Sequence, residues 1–338
     1  MSDFQIVNGF EDVWRPPVRP RRTTPVALLG GPSAGHAARA KLARLAARAP
    51  EVMVKVTGRT RDPAHLKAHL DYISRNGQLE LETPDGAVLT GRAEVEDLAA
   101  DWSAEQLADR RTRTGAPFSH NLVLSMPAGT DPVRLHDAAR AFATELFEGR
   151  HDYVFTLHTD TPRPHVHLSI CTRADTGERL NPRKADLELW RQTFAQALRD
   201  RGIAAEATPR RARGVTRKPE RQALRQIRER HETRGGDIGR VRRAAYQDAA
   251  KAAFGGAPAL TPWEQRMAER HAQVRALYLA QAQVLARSAD REDRALAAKV
   301  VAFVGAMPQP DSQRLALARE LRAAARPISR DSGPERRR

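Results

Sequence analysis

The stretch HTDTPRPHVHLSI, residues 158–170, constrains this chain more than any other. It carries three of the eleven histidines, His158, His165 and His167, with Asp160 between the first and the second. The flanking segments DYVFTLHTD and HVHLSICTR read as strands, and the two prolines of TPRP cannot continue a ladder, so they form the connection. Side chains alternate across a strand, so His165, His167, Ser169 and Cys171 share one face. Val166, Leu168 and Ile170 share the other, which has the apolar pattern of a core. Pairing of the two strands as neighbours brings His158 onto the histidine face. Three imidazoles converging on rigid strands make a facial three-nitrogen site for a divalent metal, with positions left for substrate oxygens. Single histidines on strands are mostly surface or hydrogen-bonded core residues, but three on one face gain little unless something binds them. The spacing is not that of the helical H-E-x-x-H zinc proteases, and the lone cysteine, Cys171, leaves no cysteine pair for structural zinc.

Charge points to the substrate class. A net charge of +16 and a pI near 11.0 make nucleic acid or another anionic surface the natural partner. Arginine dominates the basic set, and its planar fork suits phosphate. One cysteine excludes an internal disulfide framework and fits a reducing compartment. No apolar run approaches the ~20 residues that span a bilayer, and MSDFQIVNGFEDVW lacks the order of a secretory signal. These features lead us to expect a soluble, basic, cytoplasmic protein.

In chain order, residues 1–50 read as a basic, proline-rich arm. RPPVRPRRTTP is an extended linker, and Trp14 is an anchor for the arm on the folded domain. GGPSAGH superficially resembles a phosphate loop but has His36 where lysine is required, so it reads as a turn before the helix AARAKLARLAARA. A folded domain is expected over 51–215. EVMVKVTG is a strand, and DPAHLKAHLDYISRNG is a helix started by Asp62 and Pro63 and stopped by Gly77. QLELETPDGAVLTG is a hairpin, residues 91–112 form a helix, and FSHNLVLSMPAGTD is a strand and turn. A helix opened by Asp131 and Pro132, the two histidine strands, and a helix closed by Gly202 complete it. The sum is an α+β fold, a largely antiparallel sheet covered by helices.

Tyrosine is scarce: Tyr72, Tyr153, Tyr246 and Tyr278 are all there are. A tyrosine near a helix end is ordinarily a half-buried packing residue. Beside a metal site on a basic protein, however, a phenol can attack phosphorus and cleave DNA by transesterification. Its pKa of ~10 then calls for a metal, a cation or a base nearby.

At these residues the chain resembles the HUH endonucleases, and within them the conjugative relaxases, or mobilisation nucleases, of the branch that includes the T-DNA border nuclease. Three blocks carry the resemblance over residues 51–215. HLDYISRNG matches the motif of the nucleophilic tyrosine and implies that role for Tyr72. HNLVLSMPAGTD matches the second motif and implies a DNA contact for Ser125. HTDTPRPHVH matches the third, implying His158, His165 and His167 as metal ligands and Asp160 as an acidic group that orients a ligand histidine. No second tyrosine lies within a helical turn of Tyr72, which fits single-tyrosine chemistry. Arg75 reads as a solvated helix-end arginine, with the phenolate or a flanking phosphate as its functional alternative.

The resemblance implies a site- and strand-specific relaxase that nicks single-stranded DNA at a transfer origin. It would use Mg2+ or Mn2+ and form a 5′-phosphotyrosine, with accessory relaxosome proteins and a type IV secretion coupling protein as partners. It also allows translocation with the DNA into a recipient cell. Residues 216–338 read as a basic helical extension. Over 209–243 there are 13 Arg plus Lys against 4 Asp plus Glu, an excess that suits tracking of DNA phosphates by Arg210, Arg211, Arg213, Arg217 and Lys218. The later helices suit either a partner or a tail packed on itself. RPISRDSGPERRR is disordered by composition, and the resemblance also makes it a candidate secretion signal. Two other functions stay open: a metal-dependent hydrolytic nuclease with no covalent intermediate, and a non-enzymatic plasmid DNA-binding accessory protein.

Overall fold

The structure, a computed structural model, describes residues 6–14, 34–109, 115–174, 176–217, 220, 222–235, 239–255 and 260–325. In chain order its elements are α1 (Glu11–Trp14), α2 (Ala34–Ala46), β1 (Met53–Thr60), α3 (Pro63–Ile73), β2 (Leu81–Glu82) and β3 (Val88–Leu89). Next come α4 (Gly91–Ala108), β4 (Ser119–Ser125), α5 (Pro132–Phe147), β5 (His151–His158), β6 (His165–Ala174) and α6 (Lys184–Asp200). A 3-10 turn (Arg210–Arg213) leads to α7 (Gln222–Arg234), α8 (Arg240–Phe254), α9 (Pro262–Ala286), α10 (Arg291–Gly305) and α11 (Gln313–Ala324). The chain divides into two compact units: residues 15–208 form the body of one, and residues 6–14 with everything from 209 onward form the other.

The first unit is α+β. Its six strands are antiparallel in the order β1-β4-β6-β5-β2-β3. On one face Leu122, Leu124, Phe155, Val166, Leu168 and Ile170 pack with Leu135, Phe142, Phe147, Trp190 and Phe194 of α5 and α6. On the other, Val154 and Cys171 pack with Leu66, Leu70 and Ile73 of α3 and with Val95, Ala99 and Trp102 of α4. The helix starts follow their local chemistry. Asp62 caps α3 by accepting from the His65 amide, and Asp131 caps α5 by accepting from Val133 and Arg134, each with proline in the first turn. α6 stops where Gly202 turns left-handed. Gly77 has φ +80, and a Cβ there would fall against the backbone of Gly91 and Arg92. The same glycine's carbonyl accepts from the Gly91 amide at 3.1 Å, fixing the end of α3 on the start of α4.

The first fifty residues do not behave as one arm. α2 starts at Ala34, so Gly35 and His36 are helical rather than part of a turn. Leu42 and Leu45 of α2 are fully buried, and Arg44 pairs with the buried Glu206 at 2.7 Å. Trp14, expected as the anchor of the arm, belongs to the second unit. It is buried in the second unit, edge-on to Phe10, with its Nε1 donating to the Tyr278 hydroxyl at 3.3 Å. The linker RPPVRPRRTTP and the tail RPISRDSGPERRR lie outside the described residues.

The second unit is helical and has its own core, including Tyr278, Leu285, Val300, Phe303 and Val304. α9 packs on α10 and α11 packs on α8, so these helices are covered by one another rather than left open along a single amphipathic face. A buried carboxylate ties this unit together. Glu264, at 0% exposure, accepts from the Thr261 amide and hydroxyl at 2.9 Å, and from Ser312 and Arg314 at the start of α11. Burial pushes its pKa up, but these donors outweigh burial and hold it at about 2. A carboxyl depressed in the fold contributes stability above its unfolded pKa and loses it as pH falls through the folded one. Stability of this unit should therefore decline from about pH 4.5 toward pH 2. Glu264→Ala strands Arg314 and should cost roughly 3–5 kcal/mol, read as a lower urea midpoint at pH 7. A stability loss under ~0.5 kcal/mol, the usual scale for a surface substitution, would show that the buried pair does not hold the unit.

Candidate active site

The site lies where β5 ends and β6 begins. The register pairs His158 directly with His165, and Thr156 with His167. Directly opposite residues point to the same face, so the hairpin itself gathers the imidazoles. Candidate ligand nitrogens of His158, His165 and His167 all lie within 4.8 Å of one another. Ring centroids are 4.5 Å apart for His158 and His167, 5.1 Å for His165 and His167, and 5.3 Å for His158 and His165.

Backbone carbonyls fix two of the rings. His158 donates from Nε2 to the Ile73 carbonyl at 2.7 Å, leaving Nδ1 with a lone pair, and His165 donates from Nδ1 to the Arg163 carbonyl at 3.2 Å, leaving Nε2. This is how ligand histidines are held elsewhere: one nitrogen anchored, the other presented. Burial lowers the pKa of His167 to about 3, with His158 and His165 adding to the effect, and burial also lowers that of His158. Both are therefore neutral imidazoles at neutral pH, the form that binds a metal. Donor type, spacing and protonation all fit a divalent ion.

Tyr72 stands in the last turn of α3, facing this cluster. Its ring meets His167 edge-on at 5.8 Å, and 55% of its surface is exposed. Tyr153 and Tyr278 are buried, and Tyr246 sits half-buried on α8 beside Arg242. Exposure and position thus single out Tyr72 among the four. Burial also lowers the pKa of His69, one turn earlier on α3, to about 4, and its charge would add to the effects depressing His167. Sequence reading passed His69 over, although its three-residue spacing from Tyr72 was visible.

Arg75 and Asp160 differ from expectation. Arg75 has φ +54, a left-handed turn after α3 that swings its side chain back over the site. Its guanidinium carbon lies 5.6 Å from the Tyr72 ring centroid, its Nη2 lies 3.4 Å from His158 Nδ1, and the same nitrogen bonds Asp160. A solvated helix-end arginine is therefore not what the fold contains. Asp160, in turn, holds Arg75 rather than a ligand histidine, and the Ile73 carbonyl orients His158.

Ser125 pairs with His165 across β4 and β6. It is buried, with its hydroxyl 3.4 Å and 3.5 Å from the Met126 and Pro164 carbonyls. The basic residues chosen for DNA contact belong to the helical unit. Arg210 and Arg217 are exposed, whereas Arg211 and Arg213 are half-buried and Arg211 donates to the Val13 carbonyl at 3.4 Å. Lys218 lies outside the described residues.

Residues 72–203 match the family model "Relaxase: MobA/VirD2-like, nuclease domain". The T-DNA border endonuclease VirD2 of Rhizobium radiobacter is 27% identical over 190 residues, 50% of this chain and 44% of its own length. Its counterpart from Agrobacterium fabrum is 27% identical over 216 residues, 53% of this chain and 46% of its own length. The match thus spans somewhat under half of each curated relative. A solved structure from work on the molecular basis of vancomycin resistance transfer in Staphylococcus aureus aligns with 47% of this chain and 98% of its own. Its identity is 12% and its TM-score 0.32, a likeness that supports no structural inference. No helix among the described residues is long and apolar enough to cross a membrane.

Proposed function

We propose, from the premise that this chain belongs to the MobA/VirD2-like relaxase family, that it nicks one strand of DNA by transesterification onto Tyr72. The observation that carries this reading is the exposed phenol set edge-on to His167, beside three clustered imidazoles. The Tyr72 oxygen attacks phosphorus as the bond to the 3′ oxygen breaks. The products are a free 3′-hydroxyl and a 5′-phosphotyrosine that keeps the ester's free energy and can be passed back to a 3′-hydroxyl.

His158, His165 and His167 would hold a divalent ion, Mg2+ or Mn2+, which supplies Lewis-acid neutralisation of the phosphate's non-bridging oxygens. The remaining work falls to the chain. The carbonyls of Ile73 and Arg163 keep two imidazoles aimed. The guanidinium of Arg75 lies 5.6 Å from the Tyr72 ring centroid, placed to meet the charge of the phosphate that Tyr72 attacks. Asp160 holds Arg75 there. Ser125, in line with His165, borders the strand near the scissile phosphate, and the basic run that includes Arg210, Arg211, Arg213, Arg217 and Lys218 follows the flanking backbone. The DNA is single-stranded at a transfer origin, and the biological role is conjugative mobilisation with accessory and secretion-coupling partners.

Arg75 donates toward the Nδ1 of His158, the lone pair left for an ion once Nε2 is spent on Ile73. Removing that competitor by Arg75→Ala should tighten Mn2+ binding by roughly threefold to tenfold, about 1 kcal/mol for one hydrogen bond. The same change should slow nicking. Titration calorimetry with Mn2+ reads the first effect, and unchanged or weaker binding would contradict the geometry assigned to Arg75. The function itself is tested by incubating the full chain and Mn2+ with labelled single strands from the parent element's transfer origin. A band shifted on a denaturing gel supports the reading, and cleaved DNA with no shifted band selects a hydrolytic nuclease instead.

A further inference from the structure

The sheet register extends the site beyond Tyr72 and the histidines. Two rows of directly opposed residues run across the strands toward β1. One is His158, His165, Ser125 and Met53, and the other is Thr156, His167, Val123 and Lys55. Opposed residues share a face, so Met53 and Lys55 stand on the histidine face. α3 and α4 cover that face elsewhere, over Val154, Phe118 and Cys171. At β1 they leave it open, with Met53 46% exposed and Lys55 and Thr57 exposed; on β4 Val123 is half-buried while Ser125 stays buried. β1 is also the edge of the sheet. A lysine on an edge strand ordinarily serves to block pairing with another chain. That role needs no particular face, and it does not account for an exposed methionine in line with three histidines.

We infer that Met53 and Lys55 form a subsite for the single strand flanking the scissile phosphate, Lys55 taking a phosphate and Met53 meeting the face of a base. Strands are ~4.8 Å apart, so Lys55 starts two strands, about 10 Å, from His167 along the row. A flexible ammonium can reach a neighbouring phosphate from there. Methionine is a soft, adaptable apolar surface, and single-strand sites combine a cation that tracks the backbone with an apolar platform for the bases. Val123, half-buried, lies between Lys55 and His167 along the row and joins the β1 surface to the site. The inference rests on the reading of this site as a DNA-nicking centre and adds where the strand lies.

Thiol protection in the full chain tests it. Cys171 is buried, and burial pushes its thiol up to about 11, so a cysteine introduced on the surface is the one that iodoacetamide reaches. The labelling rate of Met53→Cys is measured with and without saturating (dT)20, beside Leu189→Cys on α6, the opposite layer. The inference predicts that (dT)20 slows labelling at position 53 by at least fivefold and leaves position 189 unchanged. It further predicts that adding Lys55→Ala raises the (dT)20 concentration for half-protection several-fold, and that a blunt 20-base-pair duplex protects far less. Equal labelling with and without (dT)20, or equal protection by duplex, would overturn it and return Lys55 to a guard of the sheet edge. The covalent-adduct assay is read separately. An adduct without protection defeats this inference alone, and protection without an adduct defeats transesterification alone.

Discussion

Tyr72→Phe is expected to abolish the covalent protein–DNA band, by a factor of at least ~10³, and to leave the fold and metal affinity as they were. The substitution removes one oxygen and keeps the ring. With 55% of its surface exposed, Tyr72 contributes little to packing, so stability should stay within ~0.5 kcal/mol. The ring meets His167 by its edge and gives no donor or acceptor to the triad, so Mn2+ affinity should hold within twofold. Loss of a nucleophile with binding intact is the signature of covalent catalysis. Tyr246→Phe, at the other incompletely buried tyrosine, serves as the control and should nick normally. Adduct formation by Tyr72→Phe would move the nucleophile elsewhere.

His167→Ala should remove both high-affinity Mn2+ binding and nicking. Its ring lies within 4.5 Å and 5.1 Å of the other two by centroid, and it is 8% exposed. Losing one of three nitrogen donors leaves two that cannot enclose an ion, and we expect affinity and nicking rate each to fall by ~10² or more, the upper range for changes around a metal site. Partial recovery at millimolar Mn2+ should accompany this, since mass action compensates for weak binding. Single-strand binding measured in chelator should persist, because phosphate contacts elsewhere supply it. Wild-type nicking by His167→Ala would remove the metal from the account and leave the triad a buried polar cluster.

Much of this site was legible because its imidazoles are local. His165 and His167 share a face by strand alternation, and the short prolyl connection sets His158 opposite His165, so the three-histidine cluster follows from thirteen consecutive residues. The α+β class followed in the same way, from helix starts at Asp62 and Asp131 that capped as expected. What stayed hidden depends on long-range order. Nothing in the string says that β4 lies between β1 and β6, so the line from His167 through Val123 to Lys55 could not be drawn. Arg75 reads as a helix end until a left-handed φ turns it inward onto Asp160, 85 residues away. Trp14 finds Tyr278 across 264 residues, a pairing that no local pattern encodes. The Ile73 carbonyl that orients His158 has no side-chain signature at all.

In the proposed reaction, cleavage and covalent attachment are one step at one oxygen, that of Tyr72. Wild-type chain is incubated with Mn2+ and a single-stranded origin oligonucleotide, the shifted species is digested with protease, and the DNA-linked peptide is sequenced by mass spectrometry. The expected products are a nucleotide 5′-phosphate esterified to Tyr72 and a released fragment that polymerase extends from its 3′-hydroxyl. A cleaved strand bearing a free 5′-phosphate with no attached peptide, or a link to any residue other than Tyr72, would contradict that reaction.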